Sequence, residues 1–258
     1  MATLLAMTRC RTGIAAAALA ISAILPAACA GGPATATRSE PLAADPAAAC
    51  AAQVRINSAI PPGADPSDPP PPPPLMRSWA ADLGPDFAVL EQNTPDTLRP
   101  ATNRLRTELD RAQQGYRIDV SDPEIGAASN AIDEWVYASC GFRRLDVVNQ
   151  GGSFGPLPAA LSPGPVAVRF SNVGDPSKAG FVLLLARVRD GVTATLEDFR
   201  AGRADLDRDA EVKLGAQPVA GSGYGSVELP PGRYLLVSPL GAPPEFAGGA
   251  MWAELTVG

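Results

Sequence analysis

At Gly141 the apolar residues of this 258-residue chain stop recurring every three or four positions and begin to alternate. A chain carrying both periods builds two kinds of layer. Ahead of that point, "MRSWAADLGPDFAVLEQ" sets Trp79, Leu83, Phe87 and Leu90 at helical spacing, with Gly84-Pro85 expected to interrupt or kink the run. "TPDTLRPATNRLRTELDRAQQGY" puts Leu98, Leu105 and Leu109 on one side, between a Thr94-Pro95 start and a Gly115 stop. "SDPEIGAASNAIDEWVYASCGF" starts at Ser121 and gathers Ile125, Ala128, Ile132, Trp135 and Val136 on one face. Beyond Gly141, "RLDVV", "VAVRFSN", "FVLLLARVR", "GSVEL", "RYLLVS" and "MWAELTV" are short β-branched and apolar runs between Pro/Gly turns. About seven strands in roughly 115 residues, with no helical repeat between them, predict an antiparallel β-sandwich. "TATLEDFRAG" is the exception, a short helix with Glu197 and Asp198 in its first turn. The expected fold class is α+β: a small helical bundle over residues 46–141, then the sandwich over residues 142–258.

The helical part opens on Asp45, an N-cap, with Pro46 at the first helical position of a run reaching Ile60. Residues 61–74 hold six consecutive prolines and read as a stiff surface loop in the extended polyproline form, in preference to a ligand for a Pro-binding groove.

The N-terminus sets the compartment. Arg9 and Arg11 precede the apolar run "GIAAAALAISAIL", which is shorter than the ~20 residues a spanning helix needs, so residues 1–28 read as an export signal. The run ends in "LPAACAGG", which resembles the lipobox of bacterial lipoproteins, with Pro26 where Leu is usual. That resemblance implies acylation of Cys29, a lipid anchor in the extracytoplasmic face of the cell membrane, and a tether over residues 29–45. An ordinary signal peptide with Cys29 incidental is the alternative. Cys50 and Cys140 then remain, and in an exported protein they predict a disulfide; two free buried thiols are the other possibility.

A net charge of −6, with no basic block longer than Arg143-Arg144, argues against nucleic acid as a partner. The chain contains no histidine, which removes imidazole from acid–base and metal chemistry alike.

Four segments together, "FGPLPAALSPGPVAVRFSNVG", "FVLLLARVRDGVT", "VELPPGRYLLVSPLG" and "GAMWAELTV", resemble a cupredoxin-like domain over almost all of the C-terminal half. The resemblance implies a two-sheet Greek-key fold with a copper site at one pole. A blue-copper centre needs two imidazoles, a thiolate and a weak axial Met. Matched to the family's pattern, the ligand positions hold Lys178, Ser238, Phe246 and Met251, of which only the Met is a family ligand. A lone thioether does not hold Cu(II), so no cofactor is expected. Among other chemistries, "DLDRDAE" (Asp205 to Glu211) alternates acids like a calcium loop but lacks its Gly and its final Glu. Ser177-Lys178 with Ser238 lacks the geometry of an activated nucleophile.

The functional expectation is therefore a non-catalytic binding or scaffolding module of the cell envelope. Its candidate binding loops at the old metal pole carry Asp175, Ser177, Lys178, Pro243, Glu245 and Phe246. The partner is the membrane through the lipid anchor, together with an envelope protein or small ligand that the sequence does not identify. A small-ligand receptor or enzyme accessory protein, with its site between the two parts, is the alternative.

Overall fold

The computed structural model describes residues 44–64, 69–219, 221–242 and 245–258, with only the backbone described for 242 and 245–248. The export signal, Cys29 and nearly all of the tether lie outside the described residues. Four helices come first: α1 Pro46–Ser58, α2 Pro73–Asn93, α3 Arg99–Gln113 and α4 Pro123–Ser139. No helix among the described residues is long and apolar enough to cross a membrane.

Capping chemistry sets the helix starts. The Asp45 carboxylate accepts from the N–H groups of Ala47 and Ala48, with Pro46 at the first position. The last helix is capped by Asp122, which accepts from Glu124 N, one residue later than the expected Ser121. Ser121 instead donates to Asp119 in the preceding turn. Pro73 and Pro74, expected in the loop, are the first residues of α2, where a missing N–H costs no helical bond. This helix also continues through Pro85. Met76, Ala80, Leu83, Phe87 and Leu90 are buried on both sides of it, and this tertiary stripe offsets the one bond the proline removes. Gly115 ends α3 with φ +94°, and a side chain there would strike Pro73. Cys50 and Cys140 are joined in a disulfide, Cα to Cα 5.8 Å, tying α1 to the end of α4.

Eight strands follow: β1 Arg143–Gln150, β2 Ala160–Leu161, β3 Gly164–Val173, β4 Leu183–Val188, β5 Ala210–Ala216, β6 Ser222–Leu229, β7 Gly232–Ala242 and β8 Glu245–Val257. They form a three-stranded sheet ordered β1-β3-β6 and a five-stranded sheet ordered β2-β8-β7-β4-β5. The sandwich is therefore present, but its sheets are mixed: β1 runs parallel to β3 and β2 parallel to β8, while the other pairings are antiparallel. β5 has Ala210, Leu214 and Ala216 buried, and its charged neighbours masked that alternation in the sequence. Between the sheets lie Leu145, Val168, Phe170, Leu185, Leu236 and Leu255, among others. Tyr234 is fully buried there, its hydroxyl donating at 2.7 Å to the Pro230 carbonyl of the "LPPGR" turn, and burial pushes its pKa up to about 12.

Helices α1 and α4 lie against β6, and the joint is polar. Asp133 accepts from Asn57 Nδ2 at 2.7 Å, Gln53 Nε2 at 3.1 Å and Ser226 Oγ at 3.4 Å. Asn130 Oδ1 accepts from Tyr224 N at 2.9 Å, on the edge of β6 that β3 does not use. The outer face of the five-stranded sheet is covered by the expected short helix, α5 Leu196–Arg200, whose Thr195 and Asp198 form a capping box. Phe199 of α5 stacks on Trp252 at 6.5 Å. A second short helix, α6 Leu206–Asp209, leads into β5.

Candidate functional site

The β7·β8 register sets Ser238 directly opposite Met251 at one pole of the sandwich. A third segment closes on them from the loop after β3. Phe181 N donates to Pro239 O at 2.9 Å and Gly241 N donates to Ala179 O at 2.8 Å, which presses Gly180 onto β7. A Cβ on Gly180 would sit 2.3 Å from Ser238 Oγ, 2.8 Å from the Phe170 ring and 3.0 Å from Met251 Cε. Gly180 is thus the residue whose missing side chain permits the approach.

Two asparagines hold that loop. Asn172 donates to Gly180 O at 2.9 Å and accepts from Gly180 N at 2.8 Å. The nearly buried Asn149 donates to Asn172 Oδ1 at 2.8 Å and to Lys178 O at 2.7 Å. It also accepts from Gly152 N at 2.8 Å, so one amide ties the ends of β1 and β3 to both adjoining loops. Sequence reading passed over both residues. Their signal was an asparagine near the end of each of two paired strands, where that residue is disfavoured unless its amide has a specific use.

Of the degenerate ligand positions, the structure brings Ser238 and Met251 together and leaves Lys178 apart. Lys178 is exposed in a 3-10 turn, Pro176–Lys178, with its stem lying beside Gly152. Counting along the loop selected Lys178, whereas the backbone path delivers Gly180. Phe246 pairs with Gly241 and Glu245 with Ala242 in β8; their side chains, and all of Pro243, are outside the described residues. Asp175 caps the 3-10 turn, accepting from Ser177 N at 2.9 Å and Ser177 Oγ at 2.8 Å, and these bonds hold its carboxyl below the usual range. Asp175 and Ser177 are thus engaged with each other.

Ser238 is 0% exposed and, among the described residues, its Oγ has no hydrogen-bond partner; the Phe170 ring and Met251 Cε crowd the same point on Gly180. The donor set does not fit a blue-copper ion: a hydroxyl and a thioether face a glycine, and the chain has no imidazole. Among the described residues no base is hydrogen-bonded to that hydroxyl, as an activated nucleophile would need. Three of the four acids of "DLDRDAE" are also occupied, Glu211 by Lys213 at 2.6 Å. Asp205 caps α6 by accepting from Arg208 N, and Arg208 holds the Asp209 carboxyl down to about 2.

Two grooves open elsewhere on the described surface. One of about 290 Å³ lies where α2 meets α3, lined by Glu91, Thr94, Asp96, Arg99 and Asn103. A larger one of about 750 Å³ runs along β8 from Gly249 to Glu254, facing Gly152, Phe154 and Leu157, with Arg200 at its margin.

No protein-family model matches the chain. No curated protein matches it either. Among solved structures, auracyanin A, a "blue" copper protein from the green thermophilic photosynthetic bacterium Chloroflexus aurantiacus, is similar at 17% identity, covering 46% of this chain and all of that one with a TM-score of 0.30. At that score the fold assignment rests on the strand order and pairing described above.

Proposed function

We propose that this chain is an exported, lipid-anchored, non-catalytic binding or scaffolding module whose sandwich works without a metal. The observation that carries this reading is the buried pair at the pole. Ser238 and Met251 occupy the place where the cupredoxin resemblance puts chemistry, close to the Phe170 ring and, among the described residues, without a hydrogen-bonded base. The Cys50–Cys140 bridge adds support for the compartment, since disulfides form and persist in oxidising surroundings. Anchoring through Cys29 follows from the lipobox resemblance.

A ligand site between helices and sheets has less behind it. Gln53, Asn57, Asp133 and Ser226 fill that seam with mutual hydrogen bonds, and neither groove described above lies on it. The test is in-cell crosslinking of the tagged full-length chain beside its Cys29→Ala form, with membrane fractionation of both. Capture of one specific envelope protein by the anchored form, weakened in Cys29→Ala, is the expected result. Equal fractionation of the two forms would sink the anchor. Copper binding at micromolar affinity that disappears in Met251→Ala would sink the metal-free reading.

A further inference from the structure

The five-stranded sheet is open along part of one edge. β8 pairs regularly with β7 from Ala250 to Val257, but on its other side β2 covers only Thr256 and Val257. Arg200 Nη2 donates at 2.9 Å to the Trp252 carbonyl, so that carbonyl points away from β7. Alternate residues of an antiparallel strand share this orientation, so Ala250 and Glu254 also turn their N–H and C=O groups outward. Among the described residues no strand meets them. These backbone groups lie along the 750 Å³ groove, whose far wall is the loop bearing Phe154 and Leu157. Both wall side chains are packed against the core, so the wall is firm.

The charge on this groove is uneven. Glu254 already has Arg233 at 3.5 Å. Arg200 is exposed, and among the described residues its only partner is the Trp252 carbonyl, with no carboxylate paired to it. The groove therefore offers a row of alternating main-chain donors and acceptors, an apolar wall and one uncompensated guanidinium. Those three features together select a single extended chain carrying an acid.

We propose that the free edge of β8 takes an extended peptide as an added strand, with an acidic side chain of that peptide seated on Arg200. The proposal rests on the binding-module reading and names the chemistry of its partner. Main-chain bonds to Ala250, Glu254 and the Trp252 N–H supply affinity, while Arg200, turning from the Trp252 carbonyl to the peptide's acid, and the Phe154 wall supply selectivity. From Ala250 to Leu255 the free stretch spans roughly 17 Å at ~3.3 Å per residue, enough for a peptide of about five residues.

The probe is a capped heptapeptide of alternating threonine and valine with a central glutamate, titrated against the full-length Cys29→Ala protein with 15N amide detection. Binding should shift and protect the amides of Ala250, Trp252 and Glu254. Exchanging the glutamate for lysine, or methylating alternate peptide nitrogens, should each weaken binding at least tenfold. Arg200→Glu, with an unchanged melting temperature, should reverse the preference in favour of the lysine peptide. Equal binding of the N-methylated peptide would overturn strand addition, and an unreversed preference would overturn the role of Arg200. Concentration-dependent dimerisation abolished by Arg200→Glu would assign the edge to a second copy and overturn the peptide. If no peptide shifts these amides at millimolar concentration while in-cell crosslinking still captures a partner, this proposal fails and the binding-module reading stands. If crosslinking captures nothing as well, both fail.

Discussion

Replacing Asp133 with asparagine exchanges a carboxylate for an isosteric amide in a seam that contains no counter-charge. Asp133 is 3% exposed, and everything that bears on its ionisation is neutral: burial raises its pKa, and the hydrogen bonds from Asn57, Gln53 and Ser226 lower it. Burial wins, moving the group from an ordinary 3.8 to about 7. The folded protein thus holds this proton more tightly than the unfolded chain does. The stability it contributes is complete below about pH 4, falls as the pH rises, and is gone above about pH 7. Three pH units at ~1.4 kcal/mol each put the swing on the order of 4 kcal/mol. Asparagine does not titrate, and its amide adds a donor to a seam where Gln53 Oε1 is a buried acceptor without a partner among the described residues. The measurement is denaturant unfolding of both proteins from pH 4 to pH 8 with the disulfide intact, compared at constant m-value. Subtracting the two curves cancels ion-paired carboxylates such as Asp198 and Asp209, whose pKa values of about 2 give them the opposite slope at lower pH. The difference should tilt toward Asp133→Asn by about 2–4 kcal/mol between pH 5 and pH 8. Parallel curves would refute the reasoning, because they would mean that the carboxylate reaches water or a cation in the folded state.

Two further tests address the pole and the crosslink. Gly180→Ala should destabilise by about 1–3 kcal/mol through overpacking against Ser238, Phe170 and Met251. Ser238→Ala, which removes a buried hydroxyl without a partner, should be neutral or stabilising by up to ~1 kcal/mol and should reduce the cost of Gly180→Ala in the double variant; additive unfolding free energies would refute the contact. Reducing the Cys50–Cys140 bridge, which spans 90 residues, should lower stability by about 2–5 kcal/mol in denaturant melts with and without dithiothreitol; unchanged midpoints would show that α1 and α4 are held together without it.

The local elements were legible wherever hydrophobic period and capping chemistry coincide. Asp45-Pro46, the spacing of Trp79, Leu83, Phe87 and Leu90, and the acids Glu197 and Asp198 at the start of α5 each announce a helix from residues close in sequence. Strand partnership was not legible. A half-buried strand reads the same whether its neighbour is parallel or antiparallel, so the β1·β3 and β2·β8 pairings stay hidden until the chain is folded. The candidate site was legible only in part. Ser238 and Met251 were picked out by the cupredoxin resemblance, and the β7·β8 pairing sets them opposite each other. Gly180 was missed because a loop's approach depends on two distant asparagines rather than on spacing. Asp133 was missed because its type is usually solvated, and its three donors come from residues 53, 57 and 226.

The Asn149–Asn172 pair also bears on which edges of the sandwich remain open. By pinning the loop that bears Gly180, it lets Phe181 N and Gly241 N close their bonds across the end of β7, which covers that strand edge among the described residues. β8 has no equivalent cover on its far side, since β2 ends after two residues. Open edges invite sheet-to-sheet aggregation unless they are short, charged or walled. This one is all three: it is roughly six residues long at ~3.3 Å each, it carries Arg200 against Trp252 O, and the Phe154–Leu157 loop stands opposite it. The wall obstructs a second sheet but leaves a groove for one chain. An edge protected against aggregation in this manner is still free to bind, and that combination favours a single extended peptide over self-association as its occupant.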